Sequence, residues 1–349
     1  MAEASSDPSV SAASEGAGSV EVEGSVGVRV LAVVLNYRTP DLVVDCLGSL
    51  VSEVAGCPGL SVVVVDNDSG DGSAEAIERT IDERGWGAWA RVHRMGDNRG
   101  FSAGNNGGLF SGEAEYYLLL NSDTLVGEGA VRALLRGAEA HPGAGLIGPR
   151  LTWRDGTPQI SSFQVPTPVT ELVHAAATGF VSRLFARHVI APGLPEAAEA
   201  SGWVSFAAVL VSARALGAVG PMDEGFFMYF EDIDYARRVR RAGFEVLYWP
   251  EARVVHLRGQ SSPVKEAQQQ GRRRPAYFYA ARSRYYAKYY GVAGLWLANV
   301  LWHVGRCVSW TRERLGRRER VACASEWRDI WTSALRPMRP FEMKRKRAG

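Results

Sequence analysis

The chain has 349 residues, which is long enough for one large domain or two modest ones. Hydrophobic residues make up 46% and charged residues 22%, a globular composition that can bury a sizeable core. The four cysteines lie far apart and form no C-x-x-C pair, which argues against a disulfide scaffold or a cysteine-based zinc site. Their spacing fits a reducing, cytosolic compartment.

The formal net charge is only +2, but the charges are unevenly distributed. Residues 271–349 contain 19 Lys and Arg against 5 Asp and Glu, whereas residues 1–270 contain 21 against 33. This asymmetry predicts a basic tail that faces an anionic partner such as a membrane surface or a nucleic acid.

The two ends of the chain carry no recognisable membrane-spanning or export segment. Residues 1–27 are rich in Ala, Ser, Gly, Val and Glu without an aromatic residue, which predicts a disordered leader. The leader is acidic and lacks a continuous apolar region, so it does not resemble a secretory signal. The longest uncharged stretch near the C-terminus, 289–305, falls short of the roughly 20 apolar residues that span a bilayer.

Buried strands and amphipathic helices alternate along the first part of the chain. Continuous apolar runs predict strands buried on both faces, and a helical period separates the first two of them. This alternation predicts an α/β fold with a doubly wound, mostly parallel, Rossmann-like central sheet. The predicted strands are 28–36, 60–65, 89–94 and 116–120, and the predicted helices are 39–54 and 73–84.

Polar clusters follow the predicted strands, where ligands bind in sheets of this kind. For a single cluster the alternative is ordinary turn chemistry, because Asn, Asp and Gly dominate turns. Four clusters at one sheet edge make a binding site the better interpretation. They are Asn36-Tyr37, Asp66-Asn67, 97–106 and Asn121-Ser122-Asp123.

Two common nucleotide-binding fingerprints are missing. The first strand is followed by Asn36-Tyr37-Arg38-Thr39-Pro40, so G-x-G-x-x-G fails at that position, and the chain has no Walker A sequence. A nicotinamide dehydrogenase or a P-loop enzyme is therefore disfavoured.

Taken together, five ordered motifs resemble those of family 2 glycosyltransferases with the GT-A fold, in the rhamnosyltransferase-like branch. The resemblance runs from about residue 30 to residue 262 and covers two thirds of the chain. The motifs are VVLNYRTPDLVVDCLGSL, VVVVDNDSGDGS, DNRGFSAGNNGG, YLLLNSDT and GPMDEGFFMYFEDIDYARRVRRAGFEVLYWPEARVVH.

The resemblance implies an enzyme that transfers a sugar from a nucleotide-sugar donor to a hydroxyl of a glycan or polyprenyl-linked acceptor. The expected course is a single displacement with inversion, in bacterial surface polysaccharide assembly. Two rival hypotheses are a sugar-nucleotide-processing enzyme on a similar sheet and a catalytically silent scaffold of an assembly complex.

The same resemblance implies a divalent cation, Mg²⁺ or Mn²⁺, to neutralise the departing diphosphate. Asp123, the last residue of a D-x-D-like triplet, is the expected metal ligand, and His256 is expected to be a second ligand or a diphosphate contact. The first position of the triplet is Asn121 rather than an acid, so Asn121 either contacts the ribose or caps the turn.

Other residues are expected to bind the donor by resemblance. A carboxylate at Asp66 can accept a hydrogen bond from a pyrimidine imide, and Asn36 lies where the backbone lines the base. Asn98 and Arg99 are expected near the nucleotide or the sugar, in a glycine-rich loop that permits a close approach to the donor.

The resemblance also implies that Asp232 is the general base, which takes the proton of the acceptor hydroxyl. Asp232 and Asp234 are two residues apart and diverge on a helix, so only one of them can face a given substrate. The alternative is an acidic helix N-terminus that is stabilised by the helix dipole. Trp203 either stacks on an acceptor sugar or belongs to the core.

The sequence divides into a leader (1–27), a GT-A domain (28–265) and a basic helical C-terminal extension (266–349). The extension is predicted to carry a polar stripe of Asn299, His303, Arg306 and Trp310 and a separate apolar face.

The aromatic and basic residues of the extension favour an anionic membrane surface, which predicts a cytoplasmic protein peripheral to the inner face of the membrane. The alternative is that the extension packs on the catalytic domain. Nucleic acid is not a predicted partner, because no nucleic-acid-binding fold accompanies the tail.

Overall fold

The structure is a computed structural model that describes residues 28–257, 264, 267, 270–316 and 322–341. The predicted leader, residues 1–27, lies outside the described residues.

Twelve strands and ten α-helices are found in the described part, and two short 3₁₀ helices join them. The strands are β1 (Val30–Asn36), β2 (Leu60–Asp66), β3 (Ala90–Arg94), β4 (Tyr116–Asn121), β5 (Thr124–Val126), β6 (Ala144–Thr152), β7 (Pro158–Gln159), β8 (Ser162–Phe163), β9 (Glu199–Ala200), β10 (Trp203–Val204), β11 (Ala208–Ser212) and β12 (Glu245–His256). The helices are α1 (Pro40–Gly56), α2 (Ser73–Glu83), α3 (Phe101–Leu109), α4 (Ala130–Ala140), α5 (Pro168–Ala176), α6 (Gly179–Leu184), α7 (Ala213–Val219), α8 (Glu231–Arg241), α9 (Ala276–Arg314) and α10 (Glu326–Asp329).

One mixed sheet organises the catalytic part of the chain, in the order β3-β2-β1-β4-β11-β6-β12-β5. The β3-β2-β1-β4 half is parallel throughout. In the other half β11 is antiparallel to both β4 and β6, and β12 is parallel to β6. The predicted mostly parallel sheet is confirmed, with β11 as an antiparallel insertion.

Helices cover both faces of this sheet, because alternate residues of each buried strand pack in opposite directions. On one face Val30, Ala32 and Val34 of β1 pack in a core with α1, α2 and α4. On the other face Leu31 and Val33 pack in a core with α3, α7 and α8. The buried face of α1 contains Val43, Cys46, Leu47 and Leu50, whereas Leu42 is only partly buried.

Helix α3 packs unusually close to β1 because its contact face is made of glycine. A Cβ at Gly104 would lie 2.4 Å from Cδ1 of Leu35, and a Cβ at Gly108 would lie 2.2 Å from Cγ1 of Val33. The glycines of this segment therefore fix the helix against the sheet.

The long helix α9 packs on α5 and is kinked at Gly291, which has φ 70° and ψ 175°. Beyond the kink, Gly305 makes the contact with α5, because a Cβ there would lie 2.5 Å from the carbonyl oxygen of Leu172. One side of α9 therefore packs on the catalytic domain, as the alternative to membrane binding proposed for the extension.

The other side of α9 is apolar and exposed, whereas the expected polar stripe does not form one exposed surface. Asn299 is fully buried and its side-chain oxygen accepts a hydrogen bond from Arg282, 2.6 Å away. Arg306 is ion-paired with Glu313 within the same helix. Six of its exposed apolar residues define what we call the exposed apolar face of α9: Val292, Trp296, Leu297, Val300, Val304 and Val308.

No helix in the described part of the chain is both long enough and apolar enough to cross a membrane.

Candidate active site

The carboxyl ends of β1 and β2 meet in a buried polar cluster. The register pairs Asn36 with Asp66, and Asn36 Nδ2 donates a hydrogen bond to Asp66 Oδ1 at 2.7 Å. Ser69 donates to the same oxygen through its hydroxyl, 2.6 Å away, and donates its backbone N–H to Asp66 Oδ2. These three donors hold the Asp66 carboxylate in one orientation at the sheet edge.

The loop after β3 joins this cluster through Asn98 but not through the Arg99 side chain. Asn67 Nδ2 donates to Asn98 Oδ1 at 3.2 Å, which ties the loop to the end of β2. Arg99 is exposed and ion-paired with Glu224, at 2.8 Å. The structure therefore brings Asn98 to the predicted site and turns Arg99 towards the loop that precedes α8.

The end of β4 supplies the next side chains along the edge. Asn121 lies beside Leu35 in the β1–β4 register. Its side-chain oxygen is buried and has no hydrogen-bond partner among the residues that the structure describes. Ser122 accepts a hydrogen bond from the Thr39 hydroxyl at 3.0 Å, which links the end of β4 to the start of α1.

Asp123 and His256 lie side by side, although 133 positions separate them in the sequence. They meet because β5 and β12 are antiparallel neighbours, in which His256 is paired with Thr124. His256 Nε2 lies 3.4 Å from Asp123 Oδ1, and both side chains are buried. The Asp123 carbonyl also accepts a hydrogen bond from the N–H of Leu257.

This pair fits a divalent cation that keeps substrate oxygens as its other ligands. No cluster of three or more His, Cys, Asp or Glu able to hold a metal is found in the described ranges. A magnesium-type ion is bound by one or two carboxylates together with substrate phosphates, so two protein ligands suffice. Carboxylate oxygen suits both Mg²⁺ and Mn²⁺.

Helix α8 begins after a strained segment. Tyr229 and Phe230 have φ of 74° and 67°, in the left-handed region that non-glycine residues avoid. Such backbone costs about 1–3 kcal/mol per residue and is found at functional sites. Gly100 packs against this segment, because a Cβ at Gly100 would lie 2.1 Å from the carbonyl oxygen of Phe227. The absence of a side chain at Gly100 therefore allows the loop after β3 to lie close to the segment before α8.

Burial sets the protonation of the two carboxylates that start α8. It raises the pKa of Asp232 to about 7. Burial, together with the charge of the neighbouring Asp232, also raises the pKa of Glu231 well above its usual value. Burial thus favours the protonated form of Glu231, and at neutral pH Asp232 is poised between its two forms. An acid with a pKa near the working pH is suited to proton transfer.

Asp234 is used in a different way from Asp232. Its carboxylate is fully buried and ion-paired with Arg238 at 3.0 Å and with Lys288 of α9 at 2.6 Å. It also accepts a hydrogen bond from the Tyr289 hydroxyl. Asp234 therefore attaches α8 to α9, and the predicted divergence of the two aspartates is observed.

Three residues of the site have roles that the sequence motifs did not reveal. Ser69 and Thr39 orient Asp66 and Ser122 through their hydroxyls. Asp223 binds both Arg284 and Lys288 of α9, and these hydrogen bonds overcome burial to hold its pKa at about 2. Of these three residues, the role of Ser69 could most easily have been predicted, because Ser69 lies three residues after Asp66 within the same motif.

A cavity of about 160 Å³ lies between the start of α8, helix α5 and helix α9. We call it the aromatic cavity. Trp203 lines this cavity and also stacks on Phe163, with ring centroids 4.2 Å apart. Trp203 is therefore packed against another aromatic ring and also accessible from the cavity. The other aromatic residues of its wall are Phe230, Phe278, Tyr279, Tyr286 and Trp302.

Two proteins with sequences similar to this chain are named as sugar transferases. An N-acetylglucosaminyl-diphospho-decaprenol L-rhamnosyltransferase of Mycobacterium tuberculosis is 30% identical over 215 residues, which is 58% of this chain and 68% of the relative. The low-salt glycan biosynthesis hexosyltransferase Agl10 of Haloferax volcanii is 26% identical over 220 residues, which is 61% of this chain and 62% of the relative.

Solved structures show the fold. The mannosyltransferase PcManGT from Pyrobaculum calidifontis, in complex with GDP-Man and Mn²⁺, has a TM-score of 0.50 and 15% identity, and the match covers 89% of this chain and 84% of that one. GalNAc-T7 with UDP, GalNAc and Mn²⁺ has a TM-score of 0.52 and 13% identity, over 82% of this chain and 57% of that one. The GT-A fold that the motifs predicted is confirmed. Because the profile of Glycosyltransferase like family 2 matches residues 28–275, the chain belongs to this family of glycosyltransferases, as its motifs indicated.

Proposed function

We propose that this enzyme transfers a sugar, with inversion, from a nucleoside diphosphate-sugar to a hydroxyl of a glycan or polyprenyl-linked acceptor. The observation that carries the proposal is the 3.4 Å approach of His256 to Asp123 at the sheet edge that also holds Asp66. A metal-diphosphate site beside a base-binding carboxylate is what a nucleotide-sugar requires. The name of the mycobacterial relative, which acts on a diphospho-decaprenol-linked sugar, supports a polyprenyl-linked acceptor.

In this mechanism the donor lies along the ends of β1, β2 and β4. The oriented Asp66 carboxylate accepts a hydrogen bond from the nucleobase, and Asn36 and Asn98 fix the walls of that site. Asn121 offers its buried side-chain oxygen to the donor. Asp123 and His256 would hold Mg²⁺ or Mn²⁺, which supplies positive charge next to the diphosphate.

Asp232 acts on the acceptor. Its carboxylate takes the proton of the acceptor hydroxyl, and the oxygen forms a bond to the anomeric carbon on the face opposite the diphosphate. The bond between the anomeric carbon and the diphosphate oxygen breaks, and the nucleoside diphosphate leaves with the electron pair. One displacement of this kind inverts the anomeric centre and needs no covalent enzyme intermediate.

The activity can be tested with a panel of nucleoside diphosphate-sugars and the full chain, with Mg²⁺, with Mn²⁺ or with a chelator. We expect release of nucleoside diphosphate from at least one donor, and we expect the chelator to abolish it. Binding of a donor without any turnover would favour a silent scaffold. Turnover that never responds to an added glycan or polyprenyl acceptor would favour a sugar-nucleotide-processing enzyme.

We also propose that the exposed apolar face of α9 rests on an anionic membrane surface. Trp296, Val300 and Val304 of this face are each about half exposed. The segment that follows α9 places exposed Arg328 and Arg336 beside the exposed side chains of Trp327 and Leu335. Alternating basic and apolar side chains suit the boundary between anionic headgroups and acyl chains. A polyprenyl-linked acceptor would lie at the same boundary.

Flotation with anionic liposomes tests this surface. Wild-type protein should co-float, and less of it should co-float at high salt, because salt screens the attraction between basic residues and lipid. The double variant Val300→Asp, Val304→Asp should stay in the soluble fraction. A variant with two matched substitutions at exposed apolar positions elsewhere, Val51→Asp and Phe110→Asp, should still float. If wild type does not float, or if both variants float equally, the membrane proposal is wrong.

A further inference from the structure

The aromatic cavity contains buried hydrogen-bond donors that the protein itself does not use. Nε of Arg274, Nη2 of Arg282 and the hydroxyl of Tyr279 have no hydrogen-bond partner within the described portion of the chain. These three residues are 8%, 3% and 1% exposed, and all of them line the cavity. Buried donors are normally satisfied, because leaving one unpartnered is costly.

The two arginines are held firmly while these donors stay unused. Arg282 is ion-paired with Glu171 of α5 at 3.0 Å, and its guanidinium lies over the Tyr286 ring at 5.1 Å. Arg274 is ion-paired with Glu326 of α10 at 2.9 Å and lies over the Phe278 ring at 4.9 Å. Each guanidinium is thus fixed by one carboxylate and one ring four residues later, which is a rigid arrangement for binding.

The charges of the cavity indicate what kind of ligand it accepts. Arg274 and Arg282 are balanced by Glu171 and Glu326, with His174 at the exposed rim. A diphosphate would need positive charge in excess, because a buried charge must be paired. A neutral ligand with hydroxyl groups can accept from the arginines and from Tyr279 and can donate to the carboxylates.

We propose that the aromatic cavity binds a neutral pyranose ring. The apolar C–H faces of such a ring pack on aromatic side chains, and its rim of hydroxyls matches the donors and carboxylates described above. Phe230 and Ile233, which flank the Glu231–Asp232 pair, are part of the cavity wall. If the proposed function holds, the ring is a sugar of the acceptor, and the C-terminal extension contributes to acceptor selection.

Saturation-transfer NMR with a panel of methyl pyranosides tests the site on the full-length protein. The panel contains the glucoside, galactoside, mannoside, N-acetylglucosaminide and rhamnoside, and inorganic pyrophosphate serves as an anionic probe. At least one pyranoside should bind to wild type. Tyr279→Phe should weaken its binding about 2- to 12-fold, the effect of losing one hydrogen bond. Ile190→Trp, which fills the cavity from its wall, should abolish the signal.

Tyr235→Phe is the matched control. The Tyr235 hydroxyl is also buried and has no partner in the described segments, but Tyr235 does not line the cavity. Its removal should leave pyranoside affinity unchanged, and neither Phe variant should lose stability, because each removes only an unused buried hydroxyl.

Three results would overturn the inference. These are the absence of binding by any pyranoside, binding that Tyr279→Phe and Ile190→Trp both leave intact, and binding of pyrophosphate that these substitutions abolish. Donor turnover is measured on the same wild-type sample, so the two proposals can fail separately. Turnover without cavity-dependent sugar binding overturns only this inference, whereas sugar binding without any donor turnover supports the cavity and removes the proposed reaction.

Discussion

Replacement of Asp232 by Asn should leave donor binding intact and lower turnover by about 10²–10⁴-fold, the usual contribution of a general base. The substitution keeps the shape of the side chain and removes only its ability to accept a proton. Donor affinity is measured by calorimetry and turnover by release of nucleoside diphosphate. Turnover within about threefold of wild type would contradict the assignment of Asp232 as base.

The pH dependence of the turnover rate provides a second test of Asp232 as the general base. Only the ionised form of Asp232 can take a proton, and burial raises its pKa to about 7. The wild-type rate should therefore rise as the pH increases through about 7 and level off above it. The residual rate of Asp232→Asn should lack this rise.

Asp234→Asn is the control for this pair of aspartates. Asp234 is fully buried and its partners are Arg238 and Lys288, so its substitution should lower the melting temperature. Breaking a buried ion pair by removing one partner costs about 3–5 kcal/mol. Asp232→Asn should lack that loss, because removing a carboxylate with a raised pKa relieves an unfavourable charge above pH 7. A fall in turnover without a fall in stability would therefore be specific to Asp232.

The parallel half of the sheet could be predicted from the sequence because its signal is local. A strand buried on both faces is a continuous apolar run, and the predicted strand at 60–65 differs from β2 (Leu60–Asp66) by a single residue. The short strands β7, β8, β9 and β10 have two residues each and carry no such pattern. The insertion of β11 between β4 and β6 depends on pairing over long sequence distances, which periodicity cannot show.

The same distinction holds for the site. The position of the proposed donor-binding residues at one sheet edge could be predicted. Asp66 and Asn121 directly follow apolar runs, and parallel strands bring their carboxyl ends together. The ion pairs of Asp223 and Asp234 with Lys288 could not, because 65 and 54 positions separate the partners. Periodicity also showed which residues of α9 share a face without showing which face is buried. Asn299 is inside because Arg282, from the preceding half of the helix, offers it a hydrogen bond.

The second large effect is expected at the proposed metal pair. Asp123→Ala should weaken metal-dependent donor binding by at least about 10- to 100-fold, since even the loss of an outer-shell partner has that effect on metal affinity. His256→Gln should have a smaller effect in the same direction, because the carboxylate carries the charge that attracts the ion. Calorimetric titration with the donor, with and without Mn²⁺, measures the increment in affinity that the ion provides.

Stability and a matched control separate this role from a structural one. Asp123 is 1% exposed, so a fall in melting temperature would accompany the loss of affinity if its main function were to pair with His256. Asp123→Asn keeps the volume of the side chain and removes its charge, and it should lose the metal-dependent increment while keeping the melting temperature close to that of wild type. Asp45→Ala removes an exposed carboxylate on α1 and should change neither quantity. If Asp123→Asn and Asp123→Ala bind donor with an unchanged metal dependence, the ion is held by other residues. The Asp123–His256 pair then only joins β5 to β12, whose register already places the two residues side by side.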